Sequence, residues 1–262
     1  MSRITKAFAK ISADGRRGFI PYITVGDPDL DTSRALIVEL ARAGATLIEL
    51  GVPFSDPVAD GPTIQRAAER ALRHNVGLVD VLRILAEARR ETDVPVILFS
   101  YFNPLLQFGV ERLADECVRA GVDGVLATDL VPEESADFNA VLSSRGLDQI
   151  FLVAPTTSDA RLRMIAERAS GFVYAVSRAG VTGARAQLSD EARRLVGRVR
   201  GVTELPVAVG FGISTAAQVA DVWAYADAAV VGSALVSEIE KRAGDPDLVA
   251  RVGEFARSLL PH

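Results

Sequence analysis

The stretch Phe19-Ile-Pro-Tyr-Ile-Thr-Val-Gly-Asp-Pro-Asp-Leu-Asp31 decides the fold. Phe19 to Thr24 is an apolar run of the length and composition of a buried strand, and the segment after it must turn the chain into a helix. In an open doubly wound sheet, this first turn carries a glycine-rich dinucleotide fingerprint. Val25-Gly-Asp-Pro-Asp-Leu-Asp31 is not one. Further short apolar runs follow at Thr46–Leu50, Pro95–Ser100, Gly124–Thr128, Gln149–Val153, Gly171–Val176, Pro206–Gly210 and Asp227–Val231. With the first they make eight strand candidates, nearly continuous in apolar character, as parallel strands covered on both faces require.

Between the strands the hydrophobic period becomes helical. Leu78, Val81, Leu82 and Leu85 fall on one face, as do Val110, Leu113, Ala114, Cys117 and Val118, and Leu162, Ile165, Ala166 and Ala169. Cys117 and Trp223, the latter beside Val219 and Val222, belong to such stripes and read as core. Eight alternations of strand and helix predict α/β architecture as a (β/α)8 TIM barrel, a single domain over residues 1–262. An extra N-terminal helix caps the barrel bottom, an extra helix follows strand 2 at Pro62–His74, and Asp245–Leu260 forms a closing helix.

The hydrophobic fraction of 49% supports a sizeable core. A net charge of −5, with 29 basic and 34 acidic residues interspersed, argues against a nucleic-acid surface but leaves room for a local phosphate site. One cysteine and two histidines exclude an intrachain disulfide framework and a cysteine- or histidine-cluster metal centre. The N-terminus lacks a signal-peptide core and no run is long enough to span a membrane, which predicts a cytoplasmic protein.

In such a barrel, chemistry collects at the C-terminal ends of the strands. Glu49 is the conspicuous residue there: a glutamate inside Leu-Ile-Glu-Leu serves no local structural purpose, and its burial is costly without a function. Asp60 lies on the loop beyond, stiffened by Pro53, Pro57, Gly61 and Pro62. Asp56 and Asp60 also suit loop capping, and Asp27 and Asp129 read as turn or cap residues. Tyr174, within a strand, suits a pocket or plain core. Gly210-Phe-Gly212 and Gly232-Ser233 each lead from a strand toward a helix, where backbone N–H groups and the helix dipole favour an anion. Loop six, Arg178–Gln187, reads either as a lid hinged at Gly180 and Gly183 with Thr182 facing the site, or as a surface loop. These residues alone describe a barrel enzyme that moves protons on a phosphorylated small molecule, with no metal or organic cofactor required.

Pro21-Tyr-Ile-Thr-Val-Gly-Asp-Pro28, the segment from Glu49 to Gln65, Ser177-Arg-Ala-Gly-Val-Thr-Gly183, Val209-Gly-Phe-Gly-Ile-Ser214 and Gly232-Ser-Ala234 closely resemble the tryptophan synthase alpha chain family, in order and over essentially the whole chain. Tyr22, where phenylalanine is common, and the string Asp129-Leu-Val-Pro-Glu-Glu134 depart from the family's usual pattern. The resemblance implies retro-aldol cleavage of indole-3-glycerol phosphate to indole and glyceraldehyde 3-phosphate. Glu49 would be the principal acid/base, Asp60 would face the ring N–H, and Tyr174 would pack beside them. Tyr22, Phe99, Leu126 and Phe211 would enclose the indole. Gly183, Gly212, Gly232 and Ser233 would hold the phosphate, and Thr182 would close toward Asp60. The resemblance also implies an α2β2 heterotetramer in which a beta chain carries pyridoxal phosphate and receives the indole, with Asp56 and Pro57 at that contact and no cofactor on this chain. The alternatives are a stand-alone lyase that releases free indole, a silent subunit that only activates a beta chain, and another phosphate-binding barrel isomerase.

Overall fold

The computed structural model of the chain describes residues 1–176, 185–210 and 212–261, with backbone alone for 185–189. The predicted apolar runs all form strands: β1 (Gly18–Thr24), β2 (Ile48–Gly51), β3 (Val96–Ser100), β4 (Gly124–Ala127), β5 (Asp148–Val153), β6 (Val173–Val176), β7 (Val207–Gly210) and β8 (Ala228–Val231). Each pairs in parallel with its sequence neighbours, and β8 returns to β1, so the sheet closes into a barrel.

Helices cover the outside. They are α1 (Arg3–Ala13), α2 (Leu30–Arg42), α3 (Pro62–Leu72), α4 (Leu78–Ala88), α5 (Phe102–Phe108) and α6 (Val110–Ala120). After β4 come α7 (Ala136–Ser144), α8 (Asp159–Arg168), α9 (Arg185–Arg200), α10 (Ala216–Trp223), α11 (Ser233–Lys241) and α12 (Leu248–Ser258). The extra helices before β1 and after β2 stand where the sequence puts them. A further one, α5, is absent from the sequence reading because seven residues are too few to display a helical stripe. Val118 departs from the expected face: it is 49% exposed while Leu113, Ala114 and Cys117 are buried. No helix of the described residues is long and apolar enough to cross a membrane.

Alternation along the strands divides the core in two. One set of side chains faces the helices and forms the larger cluster, including Leu50, Leu98, Val125 and Val209. The other set points into the barrel, where Ile20, Ile97, Leu126, Ile150, Phe172 and Tyr174 meet. Helix α1 closes the N-terminal mouth by adding Ile4 and Phe8 to this inner cluster, with the Phe8 and Phe172 rings 5.7 Å apart.

Polar contacts fix that lid. Ser2 caps α1 by accepting the Thr5 N–H, and its hydroxyl donates to Asp148 Oδ2 at 2.6 Å. Asp123, buried just ahead of β4, accepts Arg3 Nε at 2.6 Å, Arg89 Nη2 at 3.1 Å and the Val96 N–H at 2.8 Å. Burial lowers the Arg89 pKa to about 10, and the Asp123 carboxylate opposes that fall. Asp123→Ala leaves Arg89 bonded to backbone carbonyls but without its carboxylate, and the Val96 N–H without a partner, and is expected to cost about 3 kcal/mol in equilibrium urea unfolding.

Candidate active site

Register decides which side chains reach the interior. Tyr22 of β1 is opposite Glu49 of β2, and Glu49 is opposite Ile97 of β3, so all three share the inward parity with Phe99. From the far side β6 contributes Tyr174. Above this layer, at the C-terminal ends of the strands, a cavity of about 220 Å³ opens. Glu49, Asp60, Tyr22, Phe99 and Tyr174 line one part of it, and Gly212, Gly232 and Ser233 another. A larger cavity of about 430 Å³ lies at the opposite mouth beside α1, lined by residues such as Phe8, Arg16 and Arg200. Neither Glu49 nor Asp60 borders it, whereas both line the smaller cavity.

Glu49 is 1% exposed, and its Oε1 has no hydrogen-bond partner among the described residues. Burial drives its carboxyl well above the usual range, because an unsolvated negative charge is disfavoured there. Burial thus favours the protonated form of a carboxyl that borders the cavity. Asp60 is partly exposed, and burial raises its pKa to about 6 while a hydrogen bond from Tyr101 opposes the rise. The Tyr101 hydroxyl donates to Asp60 Oδ2 at 3.2 Å and accepts the Ala59 N–H at 2.9 Å. Its ring lies against Phe54, centroids 5.1 Å apart. Two acids in one cavity thus have environments that separate their protonation states.

The tyrosines are fitted by glycines. A Cβ on Gly51 would collide with the Tyr22 hydroxyl, and one on Gly210 would collide with that of Tyr174. Tyr22 also meets Phe99 edge-on, centroids 5.4 Å apart, and its hydroxyl lies 3.3 Å from Thr24 Oγ1. Burial raises both phenols far above their ordinary values, so both are neutral.

The two glycine turns differ. Helix α11 begins at Ser233, directly after Gly232, and Gly232 supplies no side-chain cap. Its first N–H groups and its dipole are available to an anion in the cavity. Helix α10 starts only at Ala216, and Thr215 caps it. The Ser214 N–H is already bonded to Gln218 Oε1 at 2.8 Å. Loop seven therefore offers Gly212, at φ +55° with open space around its Cα, but no helix terminus of its own.

Other expected residues take different places. Leu126 is fully buried in the inner cluster and is not on the cavity wall. Asp56 is exposed and Pro57 half-buried on the loop ahead of α3. Thr182, Gly183 and Phe211 lie outside the described residues, as does most of loop six. Asp27 stands in the turn after β1 but is not a cap: it is 1% exposed and accepts a fork from Arg70, with Nε at 2.7 Å and Nη2 at 2.9 Å. Asp129 lies in a turn, and its carboxylate accepts the Phe102 N–H at 2.6 Å, so the helix start it caps is that of α5 and not the one at Pro132. Among the described residues no group of three or more His, Cys, Asp and Glu side chains gathers as a metal set. The residue that the sequence reading undervalued is Tyr101. Its position at the end of β3 is visible in the sequence, but its bond to Asp60, 41 residues away, is not.

Comparison with known proteins gives a consistent relationship. A family model described as tryptophan synthase alpha chain matches residues 8–259. The chain is 48% identical over 259 residues to the tryptophan synthase alpha chain of Geobacter sp. (strain M21), covering 99% of this chain and 97% of that one. It is similar to the crystal structure of tryptophan synthase subunit alpha from Legionella pneumophila str. Paris, with a TM-score of 0.92, 39% identity and coverage of 99% and 97%. It is also similar to a chain of M. tuberculosis tryptophan synthase in its aminoacrylate-bound form, with a TM-score of 0.88, 39% identity and coverage of 99% and 100%.

The geometry at Asp60 generates a direct test. Tyr101→Phe removes a hydrogen bond that favours the carboxylate, so the Asp60 pKa is expected to climb above its value of about 6. Carboxyl-carbon NMR titration of the variant checks this; an unchanged midpoint contradicts the assignment.

Proposed function

The chain belongs to the tryptophan synthase alpha chain family, whose reaction is the cleavage of indole-3-glycerol phosphate, and on that premise we propose that Glu49 and Asp60 divide the chemistry between them. The observation that carries this reading is the buried Glu49 carboxyl, its oxygen unpartnered beside the cavity, where burial favours the protonated form. A proton moves from Glu49 to C3 of the indole, which breaks ring aromaticity and leaves a cationic indolenine. The Glu49 carboxylate then takes the proton of the side-chain hydroxyl next to C3. The electrons of that O–H bond form the aldehyde carbonyl, the carbon–carbon bond breaks, and its pair restores the indole. Glu49 ends the cycle protonated, as it began. Asp60, ionised, faces the ring N–H and stabilises the positive charge that develops there.

Tyr22, Phe99 and Tyr174 form the aromatic walls, with Tyr174 beside Glu49. Gly212, Gly232 and Ser233 hold the phosphate, the α11 N-terminus supplying N–H groups and dipole. Leu126 backs the indole site from the inner cluster. Phe211, Gly183 and Thr182 complete the enclosure by resemblance, Thr182 closing toward Asp60.

The partner in this reading is a beta chain, assembled as α2β2, which carries pyridoxal phosphate and takes the indole directly. Support comes from the surface around Asp56 and Pro57. Val58 is 87% exposed, Leu106 51% and Val131 38%. They lie on the segments after β2, β3 and β4, three adjacent strands, at the end of the barrel where the cavity opens. A cytoplasmic location belongs to the same reading.

Incubation with indole-3-glycerol phosphate, following indole release, tests the chemistry. The rate is expected to rise through about pH 6 as Asp60 ionises and to fall at higher pH as Glu49 loses its proton. Glu49→Gln is expected to abolish cleavage and preserve ligand binding; near-normal turnover in that variant contradicts the role. Leu106→Asp is expected to weaken beta-chain association at least about tenfold, measured by calorimetry, with turnover of the isolated chain unchanged.

A further inference from the structure

Around the phosphate helix runs a set of charges that the proposed chemistry does not use. Arg66 and Arg70 are spaced i, i+4 and share one face of α3. Arg66 makes a fork with Glu240 of α11, at 2.8 and 2.7 Å. Arg70 donates its Nη1 to Glu240 at 2.7 Å and its other two nitrogens to buried Asp27 in the loop after β1. One guanidinium thus joins loop one, α3 and α11. The same loop presses on the end of α3, where a Cβ on Gly26, at φ +91°, would come within 3.0 Å of Val76 and Ala71.

Local preference does not explain Glu240. A carboxylate in the last turn of α11 opposes the helix dipole, so tertiary pairing is what places it. The two helices also carry the two ends of the site. Asp60 stands two residues before α3, and Gln65 Nε2 of α3 holds the Asp60 carbonyl at 3.0 Å. Ser233 is the first residue of α11. Between the helices Tyr22, Ala67 and Val236 pack in one small cluster. Arg70 itself lies about 12 Å along α3 from Pro62, too far down the helix to reach the reacting atoms.

We propose that Arg70 is a positioning residue for cleavage: by clamping α3 to α11 and to loop one, it fixes the separation between Asp60 and Ser233. This rests on the assignment of the ring N–H to Asp60 and the phosphate to the α11 N-terminus. A substrate that joins an indole to a phosphate by a short linker must meet both at once. Separate fragments need only one end each, so they are insensitive to the spacing.

That difference supplies the experiment, on the full chain. Arg70→Met and Arg70→Lys are compared with wild type for kcat and KM on indole-3-glycerol phosphate, and for the Kd of indole and of glycerol 3-phosphate separately. The expected result is a kcat/KM lower by about tenfold to a hundredfold, with each fragment's Kd within about twofold. Lysine is expected not to rescue, since one ammonium cannot reproduce the fork to Asp27 together with the bond to Glu240. Glu240→Gln, which leaves the Asp27–Arg70 fork in place, is expected to shift kcat/KM in the same direction by less. Unchanged kcat/KM in folded Arg70→Met overturns the proposal, as does a loss matched by equal losses of fragment affinity. If Arg70→Met does not fold, unchanged kcat/KM in Glu240→Gln overturns it instead. Failure of the underlying reading looks different: wild type releases no indole, or glycerol 3-phosphate binds Ser233→Asp as well as wild type, and either result overturns both.

Discussion

Pairing of β8 with β1 is the constraint on which the rest depends. Gly18 to Pro21 register against Ala228 to Val231, and the approach is close enough that a Cβ on Gly18 would lie 2.8 Å from that of Ala228. Once the sheet closes, each strand has one face that can reach neither water nor helix, and that face must be filled by side chains. Ile20, Ile97, Ile150 and Phe172 fill it, with α1 sealing the mouth below. The interior has an open end only at the C-terminal side of the strands. A glutamate placed on that inward face one layer below the opening is dry on its flanks and exposed to whatever occupies the cavity. Glu49 has that position.

Closure also explains why two carboxylic acids in one cavity behave differently. Glu49 belongs to a strand and is buried by the barrel itself, so its neutral form is favoured. Asp60 belongs to a loop, keeps partial exposure, and accepts the Tyr101 hydroxyl, which limits its rise to about 6. The division of labour proposed for the reaction follows from whether each acid is held by a strand or by a loop. Arg70 adds a third level, proposed to set the spacing of α3 and α11, and with it that of Asp60 and Ser233, without itself reaching either end of the substrate.

Much of this was legible in the amino-acid order. The eight apolar runs read as parallel strands because strands buried on both faces need no alternation. Glu49 stood out because its neighbours, Leu47, Ile48 and Leu50, left no local reason for a charge. Val118, Asp27, Asp129 and Tyr101 were not legible in the same way. Val118 satisfies the helical period of α6 and is nonetheless exposed, since periodicity defines a stripe but not its width. Asp27 does stand in the turn after β1, but its carboxylate is taken by Arg70, 43 positions away. Asp129 spends its carboxylate on the first N–H of α5, a helix start in a different part of the chain.

The sequence by itself determined the eight strands and the longer helices between them, the strand on which the buried acid sits, the glycine turns after β7 and β8, and the family. These are local properties, written in runs, spacings and short motifs. Tertiary structure alone decided that Glu49 Oε1 is left unpartnered at the cavity, that Tyr101 restrains Asp60, that α11 starts at the cavity directly after Gly232, and that Arg70 bridges three elements. Each of those depends on groups tens or hundreds of residues apart in the chain meeting in space. Barrel closure and helix packing, not local sequence, set those meetings.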